Sequence, residues 1–369
     1  MDTSALEVIA IEGTPRERGR RHGEALRPRI HELLERWFES LNRVYGLSPQ
    51  RYLERFYAET KFEEALRTHT PQILEEVRGI AEGAGADYRK VLALQHVNEE
   101  FWLALPPPEA IAEACSTIAL GRTPDQATLI GQNLDLDIYL DGYQVLLRYN
   151  CDRSDGHVLA LTVPGMISLN GMNSHGFAVC DNALTQLRGD IAGVPIFAIY
   201  RELLESRSLA DAQATVARLP HASGLNWVMG DPDAVMMLES SAGGVVKYGP
   251  HDPARPIYHT NHPLVSVDLS PQARGRTSRP TRSTYLRYAA LHEQISVLPP
   301  TLSIEAIKSV LSSCRDPDYP VSRGGGRNEE DEAIGFTLAC CIFELVRGAP
   351  KFHIASGPPH RTGFRTFNA

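Results

Sequence analysis

The sequence predicts an α+β protein of two sheets with helices on their outer faces, preceded by a mostly helical segment of about a hundred residues. Two observations carry this. Apolar residues recur at helical spacing through the first part of the chain. After residue 110 the texture changes to short strand-like runs interleaved with pairs of helices.

In order, the spacing predicts a helix over 16–43, with Pro15 suited to its start. A second helix is expected over 71–82, stopped by Gly83 and Gly85. A third is expected over 88–103, ended by Pro106, Pro107 and Pro108. Strands are then expected over 115–120, 127–133, 145–149 and 158–163, and helices over 195–206 and 208–218. Further strands fall over 225–229, 235–239 and 244–248, with helical stretches at 282–295 and 303–312. The runs 336–346 and 351–355 close the chain as a hairpin.

Composition narrows the function classes. With 43% hydrophobic and 22% charged residues, the chain has the balance of a soluble globular protein, and 369 residues can bury a large core. A net charge of −8 gives no electrostatic footprint for nucleic acid. The local basic run Arg274, Arg276, Arg279 and Arg282 reads as a solvated loop. There is no basic start followed by an apolar run and no uninterrupted apolar stretch of spanning length, so no membrane partner is expected. Six scattered cysteines without a CxxC pair fit a reduced, cytoplasmic protein.

Cys115 opens a strand directly after the proline-rich stretch. Soon after, the run GQNLDLD at 131–137 aims Asn133, Asp135 and Asp137 at one strand face. Two asparagine motifs follow, GMNSHGFAVCDN at 171–182 and HTNHP at 259–263. Asparagine donates hydrogen bonds without competing as a base, so it suits an oxyanion hole, although single asparagines more often serve turns and caps. His259 and His262 could form a metal pair, yet no third ligand lies nearby in the sequence and no metal is expected. GxSxG, GxxxxGK[ST] and GxGxxG motifs are absent. Gly324 to Gly326, between Arg323 and Arg327, reads as a mobile loop rather than a phosphate cradle.

Taken jointly, these motifs resemble the penicillin acyltransferase family (isopenicillin N acyltransferase-like proteins) of N-terminal-nucleophile hydrolases. The resemblance runs over nearly the whole chain: EGTPRERGRRHG at 12–23, LEEVRGIAEGAG at 74–85, Asn98 with Glu99, ACST at 114–117, the GQNLDLD run, GMNSHG with Asn182, SGLN at 223–226, HTNHP, and GPP at 357–359. It implies a four-layer αββα sandwich and self-cleavage between Ala114 and Cys115, giving segments 1–114 and 115–369 that stay together as one αβ heterodimeric domain, with or without further homo-oligomerisation. It also implies Cys115 as nucleophile, Asp135 as orienting acid, Asn261 and Asn182 as oxyanion donors, and Asn133 and Asn226 as weaker substrate or oxyanion contacts. The substrate would be a small acyl amide, with no cofactor and with a coenzyme A thioester as an optional co-substrate. The penicillin enzyme carries an arginine just before its last core strand; none stands at 333–338 here, leaving Arg315, Arg323 or Arg327 as substitutes. Two other readings stay open: an uncleaved thiol hydrolase pairing Cys115 with His175 or His259, and a non-catalytic scaffold of the same fold.

Overall fold

A computed structural model describes residues 6–96, 99, 115–252, 255–270, 282–299, 301–324 and 336–369. The N-terminal segment contributes β1 (Glu7–Ile11) and the helices α1 (Pro15–Ala25), α2 (Arg27–Tyr45), α3 (Pro49–Glu59), α4 (Phe62–His69), α5 (Pro71–Ala84) and α6 (Tyr88–Leu94). The single helix expected over 16–43 is two. Leu26 leaves helical geometry, its N–H caps α1 on the His22 carbonyl, and Pro28 sits in the first turn of α2. The helix expected to run on to 103 ends at Leu94. Gln95 turns its amide onto the Val91 and Gly165 carbonyls, while most of the remainder of that expected helix lies outside the described residues.

From β2 (Ser116–Leu120) and β3 (Thr128–Leu136) the chain passes through β4 (Val145–Asn150), β5 (His157–Thr162), β6 (Asn170–Asn173) and β7 (Ala178–Ala183). The helices α7 (Ile196–Leu203) and α8 (Leu209–Arg218) precede β8 (Leu225–Gly230), β9 (Val235–Ser241), β10 (Gly244–Gly249) and β11 (Ile257–His259). The chain closes with α9 (Arg282–Ser296), α10 (Ile304–Leu311), β12 (Phe336–Leu345), β13 (Lys351–Ala355) and β14 (Arg365–Asn368).

These strands form two sheets, ordered β1-β4-β5-β6-β7-β8-β9-β10 and β11-β2-β3-β12-β13-β14. The sheets face each other where β2 meets β7 and β3 meets β8. α8 covers β8 to β10 on one outside, and α9 and α10 cover β11 and β3 on the other. The result is the four-layer αββα sandwich. Strand alternation makes the layers. Ala119 joins the main core between the sheets, whereas Ile118 and Leu120 pack with Leu291, Ile307 and Leu311 of α9 and α10.

The N-terminal segment is not a separate unit. β1 pairs in parallel with β4 as the edge of the larger sheet, a strand that the helical texture of this region concealed. One continuous core joins Trp37, Phe56 and Leu66 to Phe197 and Trp227. Among the described residues, no helix is long and apolar enough to cross a membrane.

Candidate active site

Cys115 immediately precedes β2, which lies between β11 and β3, and it is only 5% exposed. The ladder pairs Ser116 with Asn133 and Thr117 with His259. Continuing both registers sets Cys115 opposite Leu134, one step from Asp135, and opposite Asn261 on the other side. The antiparallel pairings therefore gather a thiol, a carboxyl and an amide from positions 115, 135 and 261.

A fully buried guanidinium fixes this group. Arg287 of α9 donates from Nη1 to the Cys115 carbonyl oxygen at 2.7 Å and to Ser116 Oγ at 3.0 Å. Its Nη2 donates to Asn261 Oδ1 at 3.0 Å. With Oδ1 committed to the guanidinium, the Asn261 amide nitrogen points the other way, and it donates to the Ala183 carbonyl at 3.1 Å. Burial lowers the Arg287 pKa to about 10, with Arg323 lowering it further and Asp135 opposing the shift.

Asp135 is buried opposite Thr337, whose hydroxyl donates to Oδ1 at 2.6 Å. The buried Oδ2 has no hydrogen-bond partner among the described residues. Burial pushes this carboxyl up to about 7, opposed by the charges of Arg323 and Arg287 and by the Thr337 hydrogen bond. A carboxylate oxygen left bare in a buried site is costly unless a donor arrives.

Asn182 hangs from β7 into the space between the sheets. Its Oδ1 accepts from Thr117 Oγ1 at 2.8 Å and from Asn226 Nδ2 at 3.0 Å, the latter its cross-strand partner on β8. Its Nδ2 makes a long contact of 3.5 Å to the His259 carbonyl. The network fixes which way the amide faces and leaves the nitrogen with donor capacity. Asn226 thus orients Asn182. Cys115, Asp135, Asp181 and Ala183 line one cavity of about 20 Å³, walled by Leu134, Leu136, Met166, Leu169, Ile196 and Phe197, with Tyr200 also on its lining.

Other expected residues fall elsewhere. Asn133 spends Nδ2 on the carbonyls of Leu311 and Val321, clamping the loop after α10 to β3. β3 ends at Leu136, so Asp137 leaves the shared face and is exposed. Arg315 is exposed and does not line the cavity; the arginines at Asp135 are Arg323, which is buried, and Arg287. His175 pairs with Ser154 at 2.9 Å, and His259 is held by Glu239 and the Thr260 carbonyl; like Asn182 and Asn261, neither is among the residues that line the cavity. His262 bonds Thr284, and among the described residues no cluster of His, Cys, Asp or Glu is arranged to hold a metal. Ala114, Asn98, Arg274, Arg276, Arg279, Gly325, Gly326 and Arg327 lie outside the described residues.

Sequence reasoning missed Arg287, Thr337 and Asp181. An arginine inside an amphipathic helix carries no signal that separates it from a solvated one. Asp181 stood in the open beside Asn182, within the motif already singled out.

Fold and site together define an αββα sandwich with a thiol at the head of an inner strand. A profile of the acyl-coenzyme A:6-aminopenicillanic acid acyl-transferase family matches residues 122–357, a span that opens just past Cys115. The chain belongs to that family. It is 27% identical over 339 residues to the acyl-coenzyme A:6-aminopenicillanic-acid-acyltransferase 40 kDa form of Emericella nidulans, covering 92% of this chain and 89% of that protein. Protein dcd1A of Dictyostelium discoideum is 25% identical over 230 residues, covering 54% of this chain and 50% of its own length. Among solved structures, penicillin V acylase from Agrobacterium tumefaciens aligns with a TM-score of 0.45 at 14% identity, over 69% of this chain and 86% of its own. Conjugated bile acid hydrolase from Clostridium perfringens aligns with a TM-score of 0.44 at 13% identity, over 69% and 92%.

Proposed function

We propose that the protein is a cytoplasmic, self-processing cysteine amide hydrolase or acyltransferase that cleaves its own Ala114–Cys115 bond and then acts on small N-acyl compounds. The observation that carries this is the bare Oδ2 of Asp135, buried one register step from Cys115. Cleavage supplies its missing donor, the new α-ammonium of Cys115.

In processing, the Cys115 sulfur adds to the carbonyl carbon of residue 114. The carbon–nitrogen bond breaks, the thiol proton passes to the departing nitrogen, and a thioester remains. Water then hydrolyses the thioester, leaving a carboxylic acid on residue 114 and a free thiol. Arg287 holds the Cys115 backbone still, which matters because small misplacements of reacting atoms are expensive.

In turnover, nucleophile and base sit on one residue. An α-amine titrates at about 7.7–8.0 and a thiol at about 8.5, so the amine can take the thiol proton near neutrality. The sulfur attacks the substrate carbonyl, and the oxyanion receives hydrogen bonds from the amides of Asn261 and Asn182. The ammonium proton passes to the leaving amine, and a thioester forms. Water as acceptor makes an amidase; an amine or coenzyme A makes an acyltransferase.

The test is release of p-nitroaniline from N-acyl p-nitroanilides by wild type and Cys115→Ala. Wild type should turn over, and Cys115→Ala should be both uncut and inactive. A cleaved or active Cys115→Ala chain would refute the nucleophile assignment. An intact but active wild type would favour a histidine-assisted thiol hydrolase.

A further inference from the structure

Two carboxyls line the Cys115 cavity, and their surroundings differ. Asp135 is countered by two arginines and a hydroxyl. Asp181, also buried, receives one hydrogen bond, from the Tyr200 hydroxyl. Among the described residues no cation is set against it, and a second buried carboxyl, Glu99, whose Oε2 has no hydrogen-bond partner among the described residues, is coupled to it. Burial pushes Asp181 up to about 7, opposed by the Tyr200 hydrogen bond. The rest of the wall is mostly apolar.

A buried carboxyl lacking a counter-ion either keeps its proton or accepts a cationic partner. Its position is rigidly specified. The Asp181 carbonyl accepts from Gln132 Nε2 at 2.7 Å, tying β7 to β3, and the next residue is locked in the Thr117–Asn182–Asn226 network. Tyr200 packs edge-on against Trp227, so it cannot swing away freely. The mechanism above uses neither Asp181 nor Tyr200.

We infer that Asp181, positioned by Tyr200, is a specificity residue that selects short acyl groups bearing an ammonium close to the scissile carbonyl. This rests on the proposed amidase or acyltransferase reading of Cys115. A space of about 20 Å³ holds about one water-sized group, the size of an ammonium, without movement of the wall. Charge-assisted hydrogen bonds in buried sites are worth enough for roughly tenfold discrimination or more.

Glycyl and propionyl p-nitroanilides provide a matched probe, since an ammonium replaces a methyl of similar size. Wild type should favour the glycyl compound at least tenfold in kcat/KM. In Asp181→Asn, which keeps an acceptor for Tyr200 but removes the charge, that ratio should fall at least tenfold. Tyr200→Phe should move the ratio the same way by less. Intact mass of each variant reports self-cleavage separately. If the chains are cleaved yet wild type shows no glycyl preference, or Asp181→Asn retains it, the inference is overturned. If wild type is uncut and inactive towards both compounds, the Cys115 reading fails first, and this one with it.

Discussion

Arg287 and Cys115 are 172 positions apart in sequence, yet the guanidinium of one donates to the carbonyl oxygen of the other at 2.7 Å. The same fork holds Ser116 and Asn261, so a single side chain from an outer helix sets the Cys115 backbone and the orientation of an amide. Replacing it leaves several buried acceptors bare.

Arg287→Met should therefore destabilise the fold by about 3 kcal/mol or more and slow self-cleavage. Arg287→Lys should recover charge but not the fork, and should process more slowly than wild type even where its stability is largely restored. Thermal unfolding and a time course of fragment appearance separate the two effects. Wild-type processing in the lysine variant would show that charge alone matters.

Asn226 donates from Nδ2 to Asn182 Oδ1 and so orients the proposed oxyanion donor. Asn182→Ala should lower kcat by about 10²–10³, as for loss of one oxyanion donor, with KM little changed. Asn226→Ala should cost clearly less, because Thr117 still holds Asn182. Steady-state kinetics on one substrate decide this; equal losses would mean that Asn226 contacts the reacting atoms itself.

The raised pKa of Asp135 predicts a pH-dependent stability difference. In the uncut Cys115→Ala chain, folding lifts this carboxyl from 3.8 to about 7. Between those values the folded state holds a proton that the unfolded chain has released, so this group's contribution falls as pH rises from about 4 to about 7. Cys115→Ala/Asp135→Asn lacks that loss. Its denaturant midpoint should gain on that of Cys115→Ala as pH rises through the window. Parallel curves would mean that the carboxyl is not perturbed.

The motif around Gly19 and Gly79 has a packing reason. α1 and α5 cross so closely that a Cβ on Gly19 would lie 2.0 Å from the Glu76 carbonyl oxygen, and one on Gly83 2.0 Å from that of Arg20. Both neighbours are backbone and cannot yield by rotating. Gly83→Ala should destabilise by about 3 kcal/mol or more, beyond ordinary overpacking. Urea unfolding checks it, and a change under 1 kcal/mol would mean that the helices separate easily.

This crossing shows what was legible in the sequence and what was not. The EGTPRERGRRHG and LEEVRGIAEGAG runs could be read as motifs, and the helices on either side of them followed from apolar spacing. That they touch could not be read, because glycine spacing does not name its partner. The grouping of positions 115, 135, 182 and 261 was expected from the family resemblance and not from strand period, which put Asn133 and Asp137 on one face with Asp135, whereas Asn133 binds the loop after α10 and Asp137 lies past the end of β3. β1 was hidden among helices since its pairing is with β4, over a hundred residues on. Arg287 was hidden because burial of a helical arginine depends on what the helix covers.

The most direct test of the account is the intact mass of the purified wild-type protein under denaturing conditions. β1 and the shared core keep both segments together in the native state, so denaturation is needed to separate them. Two species are expected, of 114 and 255 residues, the larger beginning at Cys115, and a single full-length species for Cys115→Ala. A wild-type protein that remains one 369-residue chain while hydrolysing acyl amides would contradict it.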